Sequence, residues 1–85
     1  MAAVMRMDGR LRGVKREVRC SLEIWEEMSS TGRAYLRCRI VNEPSDLPDG
    51  TYSLLFGDHR LITRKWQGHW LLRYLPVGIR LLQAA

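Results

Sequence analysis

The sequence has few of the residues from which active sites are usually built. Its 85 residues include two cysteines, two histidines and five serines, and none of the serines lies in a nucleophile-elbow motif. A glycine-rich phosphate loop and the Cys/His spacings of zinc sites are also missing. We therefore predict a non-enzymatic protein with no catalytic residue, no metal and no cofactor. An active site assembled across an oligomer interface is the remaining alternative.

The few histidines and cysteines are predicted to lie too far apart to act in pairs. His59 and His69 fall at opposite ends of one predicted strand, roughly 20 Å apart or more. Cys20 and Cys38 fall about four residues apart along two paired strands, and the resulting separation of roughly 13 Å excludes a disulfide. We expect both cysteines to be reduced and to pack as small apolar side chains.

Long apolar runs are absent from the sequence. No segment approaches the roughly 20 apolar residues of a membrane-spanning helix, and the N-terminus lacks the continuous apolar stretch of a secretory signal. Two cysteines in a chain without an export signal are typical of a reducing compartment. The sequence therefore predicts a cytoplasmic protein that does not contact a membrane.

Lysine is scarce although the chain is basic. The net charge is +5, and twelve of the fourteen basic residues are arginine. Residues 1–20 carry six basic residues against two acids, residues 21–58 carry three against seven, and residues 59–85 carry five against none. Because the arginine fork binds phosphate and carboxylate and stacks on aromatic rings, this bias favours contacts with polyanions or with protein interfaces.

The composition is that of one small globular domain. Apolar residues make up 46% of the chain and charged residues 27%, which excludes a disordered protein. A chain of this length has a small core, and burial of further surface between subunits would add stability. We predict a homo-oligomer, in the first place a dimer.

The most regular part of the sequence is Thr51 to Leu75, in which three β-rich runs are joined by two short turns. Gly57-Asp58 suits a type II′ turn and Gln67-Gly68 a type I′ turn, and both types match the twist of paired strands. The turns predict the pairs Phe56 with His59, Leu54 with Leu61, Tyr52 with Thr63, Trp66 with His69, Lys65 with Trp70, Thr63 with Leu72 and Leu61 with Tyr74. The inward residues are then Tyr52, Leu54, Phe56, Leu61, Trp70, Leu72 and Tyr74.

Alternation of apolar and polar residues predicts two longer strands upstream, over residues 14–28 and 33–42. A three-residue loop with Gly32 in the left-handed conformation pairs Ser29 with Arg33. That register places Trp25 opposite Arg37 and Glu23 opposite Arg39. The inward residues of the two strands are Val14, Val18, Cys20, Leu22, Ile24 and Met28, followed by Ala34, Leu36, Cys38 and Ile40.

The remaining segments have weaker patterns. Residues 1–13 alternate poorly and contain two glycines, so we predict a flexible basic arm, or a short strand or helical turn near Ala2 to Met7 if another element packs on it. Residues 42–50 contain two prolines and three acids, which predicts a solvated loop. Residues 79–85 are predicted to form a short edge strand or a terminal helical turn.

These elements predict a mainly β protein with one domain over residues 14–85. About five strands in an up-and-down antiparallel meander would bend into a half-open barrel. The general plan is similar to the SH3-like and OB-like barrels in architecture alone. Because no motif of either class matches, no function is carried over.

The outward face of the meander carries cations beside large apolar side chains. Self-association, or binding of a protein partner, through this face is the first functional hypothesis, since arginine and tryptophan are enriched at interfaces. Binding of single-stranded nucleic acid or another polyanion is the alternative, since bases stack on aromatic rings in cationic grooves. A third option is a small-ligand pocket between Tyr52, Trp70 and Tyr74, although aromatics at this spacing are more typical of a core. The candidate residues of the face are Leu55, Arg60, Ile62, Arg64, Trp66, His69, Leu71 and Arg73.

Overall fold

The computed structural model of the protein describes residues 3–81, which form one antiparallel sheet. The sheet order is β3-β2-β1-β4-β5-β6, and the sheet curls until it is nearly closed into a barrel. Over the described residues the chain forms no helix, and therefore none that is long and apolar enough to cross a membrane. The predicted fold class is confirmed. The strands are β1 (Met5–Arg12), β2 (Glu17–Met28), β3 (Ala34–Val41), β4 (Gly50–Phe56), β5 (His59–Trp66) and β6 (His69–Trp70).

The N-terminal segment is not the flexible arm that we predicted, because Met5–Arg12 lies in the middle of the sheet. β1 pairs with β2 over eight residue pairs and with β4 over three. Leu11 is fully buried, and Gly9 also points inward. Because glycine has no side chain, the sequence shows no apolar residue at this second inward position. A Cβ atom at Gly9 would lie 3.3 Å from both Cys20 Sγ and Leu55 O. Glycine at this inward position concealed the alternation, and the β domain therefore includes β1.

The two hairpins formed by β4, β5 and β6 have the predicted turns. Gly57 has a φ of 53°, as the first position of a type II′ turn requires. Gln67 and Gly68 have φ values of 51° and 78°, as both positions of a type I′ turn require. The confirmed pairs are Phe56 with His59, Leu54 with Leu61, Tyr52 with Thr63, Lys65 with Trp70 and Trp66 with His69.

The hairpin of β2 and β3 also has the predicted register, but its outer ends are more exposed than we predicted. Gly32 has a φ of 82°, and β2 places Trp25 opposite Arg37 and Glu23 opposite Arg39. The inward positions Cys20, Leu22, Ile24, Cys38 and Ile40 are confirmed. Val14, Met28 and Ala34, predicted inward, are exposed instead. Val14 lies at the tip of the turn between β1 and β2, and Met28 and Ala34 lie next to the loop between β2 and β3, beyond the reach of the core.

The last predicted strand is much shorter than expected, because the chain leaves β5 after Leu71. Leu71 N–H donates to Arg64 O (2.9 Å), but from Arg73 onward the backbone bonds to β3. The predicted pairs of Thr63 with Leu72 and of Leu61 with Tyr74 are therefore wrong, and Tyr74 lies opposite Arg37. The change of partner reverses the facing of the chain, so that Tyr74 is exposed and Leu75 is buried. This contact also covers the edge of β3 that a continuous meander would leave open.

The core lies inside the curled sheet and is closed below by the loop between β3 and β4. Leu47 in that loop is buried, and the Tyr52 hydroxyl donates to Pro48 O (2.5 Å). After the sheet, Ile79 N–H donates to Pro76 O (3.4 Å) in a single turn, and no strand is present over residues 76–81. Residues 82–85 of the predicted terminal element lie outside the described residues. The buried apolar residues are Leu11, Cys20, Leu22, Ile24, Cys38, Ile40, Leu47, Tyr52, Leu54, Phe56 and Leu75.

Candidate functional site

The outward side of β4, β5 and β6 gathers most of the candidate residues on one surface. β5 alternates so that Arg60, Ile62, Arg64 and Trp66 face outward while Thr63 and Lys65 are buried. Ile62 is 65% exposed and Trp66 is 51% exposed, which is unusual for large apolar side chains in the middle of a sheet. We call this surface the basic outer face and define it as Leu55, Arg60, Ile62, Arg64, Trp66 and Leu71.

Strand pairing determines which residues of the basic outer face are neighbours. Leu55 on β4 lies opposite Arg60, and Leu71 is held beside Arg64 by the backbone hydrogen bond that ends the β5–β6 ladder. Residues two apart on β5 lie roughly 6.6 Å apart along the strand. Ile62 therefore lies between two guanidinium groups, and Trp66 follows the second of them. A groove of about 350 Å³ runs across this surface, lined by Thr51, Ile62, Thr63, Arg64, Leu71 and Leu72.

The two halves of the sheet differ in how far their outward arginines are paired with acids. On β1, β2 and β3 the outward arginines other than Arg19 are paired with acids: for example, Glu23 accepts hydrogen bonds from Arg6 and Arg39, and Glu27 accepts from Arg37. The hydrogen bonds from Arg6 and Arg39 hold the pKa of Glu23 below its ordinary value. This half of the surface is therefore close to neutral.

The basic outer face has no such compensation. Within residues 3–81, Arg60 and Arg64 have no carboxylate oxygen within 4 Å, and Arg60 instead donates to Ser53 Oγ (3.5 Å). The nearby acids lie at the turns, where Asp49 accepts hydrogen bonds from the N–H groups of Gln67 and Gly68 (2.6 and 3.2 Å). Two of the five basic residues of the C-terminal third, Arg60 and Arg64, are thus displayed together on one surface, whereas Lys65 is buried and Arg73 lies next to β3.

Sequence reasoning missed the arginines that β1 adds beside this face. Arg10 lies opposite Leu55 and Arg12 opposite Ser53, so both border the basic outer face. Arg10 also lies opposite Arg19 on β2, a pairing of like charges that is unfavourable unless an anion lies between them. Glu17 contacts Arg10 and Arg12 at 3.4 and 2.9 Å and neutralises part of this charge. The alternation of Arg6, Asp8, Arg10 and Arg12 with less polar residues was the available signal.

Arg73 lies apart from the other predicted face residues, in the segment that has crossed to β3. His69 lies opposite Trp66 at the end of β6 and therefore on the same face of the sheet, as predicted. His69 and Arg73 also line a cleft between β3 and β6. The pocket suggested between Tyr52, Trp70 and Tyr74 is not formed, since Tyr52 and Trp70 pack edge to face (5.5 Å) while Tyr74 packs on Tyr35.

The remaining reactive side chains are engaged in packing or in local hydrogen bonds. Burial raises the pKa of the Cys20 and Cys38 thiols to about 11, and Glu43 adds to the rise at Cys20, so both are protonated at neutral pH. His59 Nε2 lies 2.8 Å from Arg80 O at the far end of β5 from His69. In the part of the chain that the structure describes, no three His, Cys, Asp or Glu side chains are grouped as metal ligands.

Comparison of the chain with protein-family models, with curated proteins and with solved structures gives no match.

Proposed function

We propose that the protein is a non-enzymatic module that binds single-stranded nucleic acid on its basic outer face. The observation that supports this most is the segregation of charge. Five of the six arginines on β1–β3 are paired with acids and Arg19 is not, whereas among the described residues neither Arg60 nor Arg64, which flank exposed apolar side chains, has a carboxylate partner. Cationic grooves with exposed aromatic rings are the usual surface for single strands, because the phosphates contact the cations and the bases stack on the rings.

Each side chain of the face would have its own part in such a complex. Arg60 and Arg64, each two positions from Ile62 and therefore roughly 13 Å apart along β5, would contact two phosphates of the strand. Trp66 would stack one base, and the groove beside Leu71 would accept the apolar face of another. Arg10 and Arg12 would extend the cationic track across β4 onto β1.

Binding should be measured by fluorescence polarisation with labelled RNA and DNA single strands of about ten nucleotides. Affinity should fall as salt rises from about 50 to 200 mM, with a slope of log K against log salt of about −0.7 for each phosphate contact. Arg64→Ala should make the slope less steep by about 0.7. Trp66→Ala should weaken binding about 5- to 150-fold, the equivalent of about 1–3 kcal/mol for one stacked base.

Arg33→Ala is the matched control, since Arg33 is an exposed arginine at the opposite hairpin and its loss changes the net charge equally. It should leave the salt slope and the affinity nearly unchanged. Absence of binding at low salt, or an equal effect of Arg33→Ala and Arg64→Ala, would contradict the proposal.

A second candidate is self-association or binding of a protein partner through the same face. Ile62, Trp66 and Leu71 are each more than half exposed and lie together, as at many interfaces. A two-fold axis through the face would, however, bring two positively charged surfaces together, which is unfavourable without bound anions. An acidic partner surface would suit the face better. Light scattering at micromolar concentration tests self-association, and a monomeric mass at both low and high salt would exclude it.

A further inference from the structure

The crossing of the chain from β5 to β3 leaves a cleft in the wall of the barrel. At one end, Cys38 N–H donates to Arg73 O (2.9 Å) and Leu75 N–H donates to Leu36 O (3.1 Å). The next rung of this ladder would join Leu71 to Ile40, but Leu71 N–H is already bonded to Arg64 on β5. The resulting cavity has a volume of about 500 Å³, within the range of small-molecule sites. We call it the seam cleft.

The far end of the seam cleft is closed by a side-chain contact. Trp70 Nε1 donates to Glu43 Oε1 (3.1 Å), which connects β6 to the loop after β3. The same indole is half-buried, with Tyr52 against it on one side and the Lys65 ammonium 5.7 Å from its ring centre. Lys65 is itself buried and donates to Leu47 O (3.1 Å). Trp70 is therefore held in a fixed orientation at the edge of the cavity.

The other wall of the cleft presents stacked guanidinium groups. Arg37 and Arg39 both lie over the Trp25 ring, each 5.8 Å from its centre, and their charges are paired with Glu27 and Glu23 on the outer surface. Planar guanidinium groups held in this way can stack on a heteroaromatic ring, as aromatic side chains do. The two walls of the cleft thus both offer flat, polarisable surfaces.

Three arginines and one acid line the cleft, and Arg73 is the arginine of the three that is not paired with an acid of β2. Among the described residues, Arg73 has no carboxylate within 4 Å, and His69 is also part of the lining. The carboxylate of Glu43 is the acid in the lining, and one of its oxygens is used by the Trp70 indole. A ligand with both a flat ring and a negative charge would match these groups.

We propose that the seam cleft binds a nucleotide, with the base between Trp70 and the Arg39 guanidinium and the phosphate against Arg73 and His69. The second oxygen of Glu43 would accept a hydrogen bond from an amino group of the base. The nucleotide comes either from solution or from the end of a strand that lies on the basic outer face. The second source rests on the proposed function. In that case the strand would pass from the basic outer face into the cleft at Trp66, which lies opposite His69.

Titration with AMP, CMP, GMP and UMP, and with the four nucleosides, tests the cleft directly. Tryptophan fluorescence and backbone NMR shifts would report binding. At least one mononucleotide should bind at low salt, at least tenfold more tightly than its nucleoside, and should shift the resonances of residues 37–40 and 69–73. Arg73→Ala should weaken that binding at least tenfold, whereas Trp66→Ala should not change it. Glu43→Gln should weaken the binding of AMP, CMP or GMP relative to UMP, because the amide oxygen keeps the Trp70 contact while an NH2 donor replaces the oxygen that accepts from the base amino group.

The two sources and the two proposals give different results. If a strand end is the ligand, an oligonucleotide with a terminal phosphate should bind more tightly than the same strand without it, and Arg73→Ala should abolish the difference. If mononucleotides bind but oligonucleotides do not, the cleft is supported and the proposed function fails. If oligonucleotides bind, no mononucleotide does and the terminal phosphate has no effect, the cleft proposal is overturned and the proposed function stands. Equal effects of Arg73→Ala and Arg33→Ala on mononucleotide binding would also overturn it.

Discussion

Leu11 provides the sharpest test of the position of β1. Its side chain is fully buried in the core, and β1 joins the two halves of the sheet. Leu→Ala substitutions at buried sites cost about 2–5 kcal/mol. An 85-residue domain has a free energy of unfolding of about 4–13 kcal/mol. Leu11→Ala should therefore remove a large fraction of the stability, and in a domain of this size the Tm should fall by about 8 °C or more.

Thermal and urea denaturation followed by far-UV circular dichroism would measure this loss. Val14→Ala is the control, because Val14 also lies near the N-terminus but is 98% exposed. Its effect on the free energy of unfolding should stay within about 0.5 kcal/mol. If Leu11→Ala were as mild as Val14→Ala, residues 5–12 would not be packed in the core, and the central position of β1 would be wrong.

Two further predictions concern ionisable groups. Because Glu23 has a lowered pKa in the folded protein, its contribution to stability is complete above its ordinary value of 4.5 and is lost as pH falls through the lower folded-state pKa. Urea denaturation at pH 7 and pH 3 should show Glu23→Gln to be less stable than the parent at pH 7 and closer to it in stability at pH 3. Glu26→Gln, at an exposed site, is the control and should have little effect on stability at either pH. An equal loss of stability for Glu23→Gln at both pH values would refute the lowered pKa of Glu23. With thiol pKa values of about 11, Cys20 and Cys38 should react with iodoacetamide at pH 8 on the order of 10²-fold more slowly in the native protein than in urea, and equal rates would contradict their burial.

The hairpins were predictable because their information is local. A glycine at each turn and the alternation of the flanking residues specify the register of β4 with β5 and of β2 with β3. The same alternation placed Arg60, Ile62, Arg64 and Trp66 on one exposed surface. Local rules were therefore sufficient for the basic outer face.

The wrong predictions concern strands that pair with segments distant in sequence. β1 pairs with β4, more than 40 residues later in the sequence. The apolar alternation of either strand does not indicate that the other is its partner. Arg10 and Arg12 were consequently left out of the candidate face. The residues after Leu71 could continue along β5, but they pair with β3 instead and close the sheet. The seam cleft follows from that choice and could not be predicted from the turns.

The strand order has a consequence for how the molecule can be divided. β1–β2–β3 and β4–β5–β6 are each a three-stranded unit of sequential hairpins, and the loop over residues 42–49 is the covalent link between them. Cutting that loop would divide the chain without separating the two strands of any hairpin and would expose, on each unit, the edge that the other one covers. The polypeptide is in this sense already arranged as a pair of complementary fragments, suited to reassembly from separately made pieces or to an exchange of units between two chains.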